Sequence, residues 1–548
     1  MTSCGQADAD AVKFIRQAAN DLAQGRVEAA EAGLRIALKA APDHPDALHV
    51  LGLVCARLDR IDESIDCLTR ATSLDPNNAS YHHNLGLSLT AAGRWGEAEA
   101  AFRQAVALGG ITFDTRMALG NVLLKQDKPD EAEKFLRAAV DEQPQSYAAQ
   151  VQLAMALEEQ GNVTEAETHY RRALTIDEAP SLYFNLGNVL KDQHRVDEAI
   201  AAYDRAIEMR PRFAEAHVHA AFALLLRGDY SQGWREYEWR WAVPAFAGFV
   251  RKFPGPVWDG GPLHGRTLLL HAEQGFGDTL QFARYAGVAA KMGGRVVLEC
   301  QAALVRLMRS ATGVEDVVAY GRPLPPFNFH APLLSTPRLL GTTLRTVPRN
   351  VPYLAAEPAL VKSWRKRFAG APGLKVGIAW RGTAERRGNP ARACPLAAFA
   401  PLLEDRRLRL FSLQKELADE DRPLPKGLTN LSHEIKDFAD TAAIVAALDA
   451  AVTIDTAVAH LAGGLGRSTL VMVSTACDWR WLIEGTTTPW YPSVRIIRQA
   501  RPGDWAGVLR NVAAALAAMA VDRGKKKAAG SSARKGVKRG GRRRKKRA

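Results

Sequence analysis

Two short stretches in the second half of this 548-residue chain carry side chains whose types and spacing suit group-transfer chemistry. In HAEQGFGDTLQFAR, Gly275 and Gly277 permit a tight turn after an apolar run, and Asp278 follows where a helical pattern begins. An aspartate there has two readings. It can cap the helix by accepting backbone N–H bonds, or it can face a cleft as a general base and take a proton from a substrate hydroxyl. The spacing is not the GxGxxG of a dinucleotide fingerprint. In AVTIDTAVAHLAGGLG, a second apolar run ends in Asp455 and Thr456, and the helix after it carries His460 one turn inside. The unpaired N–H groups and partial positive charge of a helix N-terminus suit a phosphate. Asp455 or Thr456 can cap that helix or bind a sugar hydroxyl, while His460 reads equally as a packed core histidine and as a group reaching the same mouth.

The elements that must position these residues are strands alternating with helices. After the Pro/Gly-rich FPGPVWDGGPLHG come the apolar runs TLLLHA (267–272), RVVLEC (295–300), KVGIAW (375–380), LRLFSL (408–413), AVTID (451–455) and STLVMV (468–473). Helix-like segments separate them, which implies parallel, doubly wound sheets. They form two groups, 263–360 and 361–522, joined through the polar stretch from Glu357 to Lys366. Two such domains facing each other across a cleft place a ligand at the carboxyl ends of the strands.

The first half repeats itself. Small residues recur at Ala18, Gly52, Gly86, Gly120, Ala154, Gly187 and Ala221, at intervals of 34 residues with a single 33. Twelve residues after each comes another small one, and four further on a large apolar one, from Leu34 and Leu68 to Tyr203 and Tyr237. Small residues let antiparallel helices approach closely, and the large ones fill the groove between neighbouring pairs. This is the signature of a helical solenoid of seven units over residues 11–244. Two residues before four of the small markers lie Asn84, Gln152, Asn185 and His219. Such a ladder can hydrogen-bond the backbone of an extended acceptor peptide, or it can be an ordinary solvated face. The last unit ends in GDYSQGWREYEWRW, whose aromatic residues can bind a ligand or cap the solenoid and dock it onto the α/β half of the chain.

The net charge of +14 is concentrated in a tail: thirteen Lys and Arg and no Asp or Glu stand between Gly524 and Ala548, leaving +1 for the rest. The pI therefore does not make the whole chain a nucleic-acid binder. The tail is expected to be disordered. It reads as a non-specific contact to an anionic partner, nucleic acid or membrane surface, or as a solubilising extension. Six scattered cysteines without a CxxC pair argue against a disulfide scaffold or a structural zinc. The opening MTSCGQADADAV lacks the charged and apolar regions of a secretory leader, and the apolar run from Val512 to Val521 is too short to span a bilayer. The expectation is a cytoplasmic protein. Its segments would be a disordered 1–10, repeats over 11–244, a linker over 245–262, α/β halves over 263–360 and 361–522, and a tail over 523–548.

GFGDTLQFARY, GIAWRG, SLQK, DFADTAAIVAALD, DTAVAHLAGGLG and DWRW…PWYPSVRIIRQ together resemble the bacterial tetratricopeptide-repeat glycosyltransferases, whose catalytic half is similar to the lipopolysaccharide heptosyltransferases. The layout also resembles protein O-linked N-acetylglucosamine transferases. The resemblance covers residues 11 to about 520. It implies an α-solenoid of tetratricopeptide repeats followed by a two-Rossmann GT-B domain pair. It further implies inverting transfer from a nucleotide-sugar co-substrate to a protein acceptor, flagellin being an acceptor of some relatives, with no metal and no cofactor. By motif, Asp278 corresponds to the catalytic base, and Asp455, Thr456 and His460 to the donor-binding segment. Gly275 and Gly277 form the turn at the substrate, and Arg381, Gln414 and Lys415 are the strand-end groups available to a departing diphosphate. A metal-dependent enzyme would need a DxD at a strand end, and the matches Asp8/Asp10 and Asp419/Asp421 stand in polar segments. The stretch RGTAERRGNPARACPL departs from the family pattern at Thr383, Asn389, Pro390 and Ala393. That departure motivates an alternative: a non-catalytic repeat scaffold with a degenerate transferase domain.

Overall fold

The computed structural model describes residues 4–370, 372–382 and 393–523. Thr383, Asn389 and Pro390 of the divergent stretch, and the tail from Gly524 on, lie outside the described residues. The chain folds as two compact units, one reaching to Gln193 and including Glu208–Pro211, the other comprising His194–Ile207 and everything from Arg212 on.

The first unit is an α-solenoid of helix hairpins. After the helix Cys4–Ala23, helices of 13 or 14 residues succeed one another, among them Pro45–Arg57, Ile61–Leu74, Ala79–Ala91, Trp95–Ala107, Phe113–Lys125 and Pro129–Glu142. The first helix begins at Cys4, inside the segment 1–10 expected to be disordered. Within each hairpin the chain turns through one left-handed residue, at Gly25, Asp59, Gly93, Asp127 and Gly161, and these recur at the same 34-residue interval. The small markers do their work inside the hairpin. A Cβ on Gly52 would lie 2.6 Å from Leu68 Cγ, on Gly86 2.7 Å from Phe102 Cε1, and on Gly120 2.5 Å from Leu136 Cδ2. Each large residue thus packs on the marker of its own repeat rather than only in a groove between repeats. Leu68, Phe102 and Leu136 are fully buried as a result.

In the second unit the repeat continues through the helices Ala214–Arg227 and Tyr230–Glu236, with left-handed turns at His194 and Gly228. Two parallel sheets come next in the chain. The strands β1 (Thr267–His271), β2 (Arg295–Cys300), β3 (Asp316–Ala319) and β4 (Phe329–Pro332) are ordered β3-β2-β1-β4. The strands β5 (Leu374–Ala379), β6 (Leu408–Ser412), β7 (Leu428–Thr429), β8 (Ala450–Ile454), β9 (Thr469–Val473) and β10 (Val494–Arg498) are ordered β10-β9-β8-β5-β6-β7. This second order is the doubly wound one, and it reverses between β5 and β8. Every residue of β5, β8 and β9 is buried, which is why these strands read as unbroken apolar runs.

Three segment boundaries shift. The segment 245–262 is no free linker: Trp258 is buried, its N–H donates to the His330 carbonyl, and Val257 bridges to β4. The division at 360/361 falls inside the helix Pro358–Phe368. Arg523, placed at the start of the tail, is ion-paired with Asp449. The Val512–Val521 run belongs to a longer helix, Trp505–Arg523, which by length and composition could cross a membrane. One face of it, with Trp505, Val508, Leu509, Val512 and Leu516, is built into the core of the second sheet.

Candidate functional site

Helix Phe276–Phe282 leaves the carboxyl end of β1, and helix Ala457–Gly464 leaves the carboxyl end of β8. They meet at a glycine: a Cβ on Gly277 would come 2.9 Å from His460 Cδ2 and 3.8 Å from the Ala457 Cα. Gly277 is therefore needed for close approach, and it stands over the very helix start whose sequence pattern suits a phosphate. The Gly463–Gly464 pair has a similar cause, since Cβ atoms there would meet Tyr491 Cδ1 at 2.4 Å and Leu354 Cδ1 at 2.9 Å.

Asp278 is buried and occupies the third position of its helix rather than the cap, which is Gly275. Its Oδ2 accepts the Gly275 N–H at 2.9 Å. Its Oδ1 accepts from Arg480, which stands in the DWRW motif but is not among the candidate site residues read from the sequence. Arg480 lies in the turn Trp479–Trp481 after β9 and is buried: Nε donates to Gln281, Nη1 donates to Asp478 Oδ1 at 2.9 Å, and the guanidinium lies 4.2 Å from the Trp479 ring. Burial alone would weaken its hold on the proton. The carboxylates of Asp478, Asp278 and Asp455 more than offset that, so the group stays charged. Asp278 is thereby ion-paired with this cation, and Asp455 acts on it electrostatically.

Thr456 is the N-cap of its helix, with Oγ1 accepting the Val458 N–H at 3.3 Å and sharing a 2.8 Å hydrogen bond with Thr453. His460 is buried, hydrogen-bonded through Nδ1 to the Tyr491 hydroxyl at 2.9 Å and stacked on Trp481. These contacts are those of a packed core histidine, and its ring also lies against Gly277. Gln414 clasps the backbone of Arg381, accepting its N–H and donating to its carbonyl at 3.1 Å, which ties the ends of β5 and β6. The Arg381 guanidinium pairs with Glu420 and Asp421, and Lys415 Nζ donates to the Lys436 carbonyl at 3.0 Å. Asp421, expected in a polar segment, is buried and accepts from the Trp380 indole at 3.0 Å. Among the described residues no three His, Cys, Asp or Glu side chains group as a metal site.

Other arginines hold the same surroundings together. Arg284 is buried and donates to the Trp490 carbonyl at 2.7 Å, the Pro348 carbonyl at 3.1 Å and the Tyr353 hydroxyl at 3.2 Å. Arg306 pairs with Glu357, Asp437 and Asp440. The aromatic end of the repeats docks here, as its capping reading expected. Tyr230 accepts from the Trp490 indole at 3.0 Å, Trp234 packs edge-on to Trp479 and Phe282, and Arg240, fully buried, pairs with Glu273 just beyond β1. Tyr237 accepts from Gln274 at 2.8 Å, and its hydroxyl lies within electrostatic reach of Asp278.

The ladder of the repeats is half-buried and unevenly engaged. Asn84 hydrogen-bonds His49 at 2.7 Å, Asn185 lies near the Tyr170 hydroxyl, and His219 meets Tyr203 edge to ring and Phe222 at a tilt. Gln152 keeps a buried Oε1 without a partner.

Residues 15–79, 57–110 and 117–182 match one tetratricopeptide repeat model, and residues 180–213 match a second. The first part of the chain is therefore an array of tetratricopeptide repeats. Protein FlbA of Caulobacter vibrioides is 26% identical over 506 residues, covering 79% of this chain and 83% of that protein. The human protein O-mannosyl-transferase TMTC1 is 26% identical over 174 residues, 31% of this chain and 19% of that one. Among solved structures, YrrB, a TPR protein with an unusual peptide-binding site, aligns with 33% of this chain and 95% of its own at 21% identity and a TM-score of 0.32.

Proposed function

We propose that the chain is a glycosyltransferase of GT-B type that moves a sugar from a nucleotide donor to a protein hydroxyl, with the repeats presenting the acceptor. The observation that carries this reading is the convergence of Asp278, Asp455 and His460 on neighbouring helix starts at the carboxyl ends of β1 and β8. Doubly wound sheets bind ligands at such strand ends, at the point where strand order reverses. Asp278 takes the acceptor proton, while Asp455 and Thr456 hold the sugar nucleotide. The partial likeness to a protein O-mannosyl-transferase points in the same direction for the reaction class. Tyr237, in the last repeat, is buried within electrostatic reach of Asp278. The tail is proposed to act apart from this, as a non-specific anchor to an anionic surface inside the cell. Release of a nucleoside diphosphate from a panel of nucleotide sugars, in the presence of a host protein extract, tests the reading. Release above the Asp278→Ala background is expected, and equal rates for both proteins would remove the assignment.

One observation favours a second reading. Both Asp278 oxygens are engaged, and there is no room for a Cβ between Gly277 and His460, so the two helix starts are closely packed. A scaffold that has lost its donor site would keep that closed contact permanently. It would give no saturable heat with any nucleoside diphosphate.

A further inference from the structure

Asp278 faces a cation that the transferase reading leaves without a task. One carboxylate oxygen is fixed by the Gly275 N–H, and the other, the one turned toward β9, accepts from Arg480. A carboxylate paired in this way is a poor base until its partner leaves. Arg480 is held on every side by Gln281, Asp478 and the Trp479 ring, so its guanidinium is a preorganised fork. Its bond to Asp278 spans 202 residues of sequence and joins the start of one α/β half to the end of the other.

We propose that Arg480 is the leaving-group cation of the transfer step, and that a substrate phosphoryl group exchanges with Asp278 for it. This rests on the transferase reading. In the resting protein Arg480 and Asp278 satisfy each other. When the diphosphate of a nucleotide sugar enters, its oxygens take the guanidinium fork and Asp278 Oδ1 is set free. The acceptor hydroxyl oxygen then forms its bond to the anomeric carbon, and its proton passes to Asp278. The bond from that carbon to the phosphate oxygen breaks, and the electron pair leaves with the nucleoside diphosphate, whose added charge Arg480 meets. Substrate binding and unmasking of the base are one event, so the base is not exposed to water before the donor arrives.

Calorimetry on the full chain with UDP, GDP, ADP and dTDP tests this. The wild-type protein is expected to bind at least one. Arg480→Gln should weaken that diphosphate ten-fold or more, and Arg480→Lys should recover part of the loss. Asp278→Asn removes the competitor for the guanidinium and should tighten the same diphosphate three-fold or more, a gain that a purely structural ion pair would not give. If no diphosphate binds the wild type, the transferase reading fails first. If the wild type binds and Arg480→Gln stays within two-fold of it, the role given to Arg480 is overturned and the reading stands. If thermal melting shows Arg480→Gln to be unfolded, the Asp278→Asn result decides: tighter binding supports the exchange, and equal or weaker binding overturns it.

Discussion

Arg480 donates to the Oδ1 of Asp278, and the two residues stand beyond the carboxyl ends of strands in different parallel sheets, Asp278 in the first turn of a helix and Arg480 in a short turn. Either sheet alone has only half of this arrangement. The pair makes Asp278 at once a packing element and the candidate base, so its replacement separates the two roles. In Asp278→Asn the amide oxygen can still accept the Gly275 N–H. The fold is expected to persist, with near-native circular dichroism, while the transfer rate falls by roughly 10²–10⁴, the usual share of a general base.

Gly277 and His460 are coupled by contact. Gly277→Ala places a methyl 2.9 Å from the imidazole Cδ2, and the helix backbone around it cannot yield freely. A loss of about 1–3 kcal/mol is expected from overpacking. Because His460→Ala removes the clashing ring, the double variant should recover part of that loss. A denaturant double-mutant cycle with a coupling above about 0.5 kcal/mol would show it.

Arg284 is a buried cation held mainly by carbonyl oxygens. Arg284→Met keeps much of the stem's volume but leaves the Trp490 and Pro348 carbonyls without their donor. Urea unfolding should show a loss of about 2–4 kcal/mol, from stranded acceptors that each forfeit about 1–3. A variant as stable as the wild type would mean these carbonyls find other donors.

In the first unit, Glu158 accepts from the Tyr170 hydroxyl at 2.8 Å. Burial, aided by the charge of Asp192, pushes its carboxyl up to about 7. A carboxyl raised in the folded state holds a proton that the unfolded chain has already released. Its contribution is full below pH 4.5, the unfolded value, and is lost as pH rises through 7. Glu158→Gln should therefore leave the melting temperature unchanged near pH 4.5 and raise stability by about 1–2 kcal/mol at pH 8, after allowance for partial exposure. Thermal melts at the two pH values check it.

The repeats were legible because their physics is local and recurrent. A small residue every 34 positions must face a large one sixteen later, as Gly86 faces Phe102. Strands β1, β2, β5, β6, β8 and β9 were legible as apolar runs. The strands that escaped are short, as β3, β4 and β7 are, or carry alternating charge, as VRIIR of β10 does with Arg495 exposed. Asp278, Asp455 and His460 could be picked out one by one, since each stands at or within one turn of a strand-to-helix junction. Arg480 could not, because nothing in DWRW says which carboxylate 202 residues away it will meet. Arg381 and Lys415 stand at the ends of β5 and β6 as expected, but carboxylates and carbonyls nearby already engage them. Strand position is written in the pattern; the partner of a long cation is decided by the tertiary fold.

The transfer of a sugar to protein, dependent on Asp278, is tested most directly by glycopeptide mass spectrometry of the host's proteins, with either the wild-type or the Asp278→Ala chain as the sole copy. The expected result is a glycan mass on at least one protein that disappears with Asp278→Ala while the variant chain remains at normal abundance. Identical glycan masses in the two strains would contradict it.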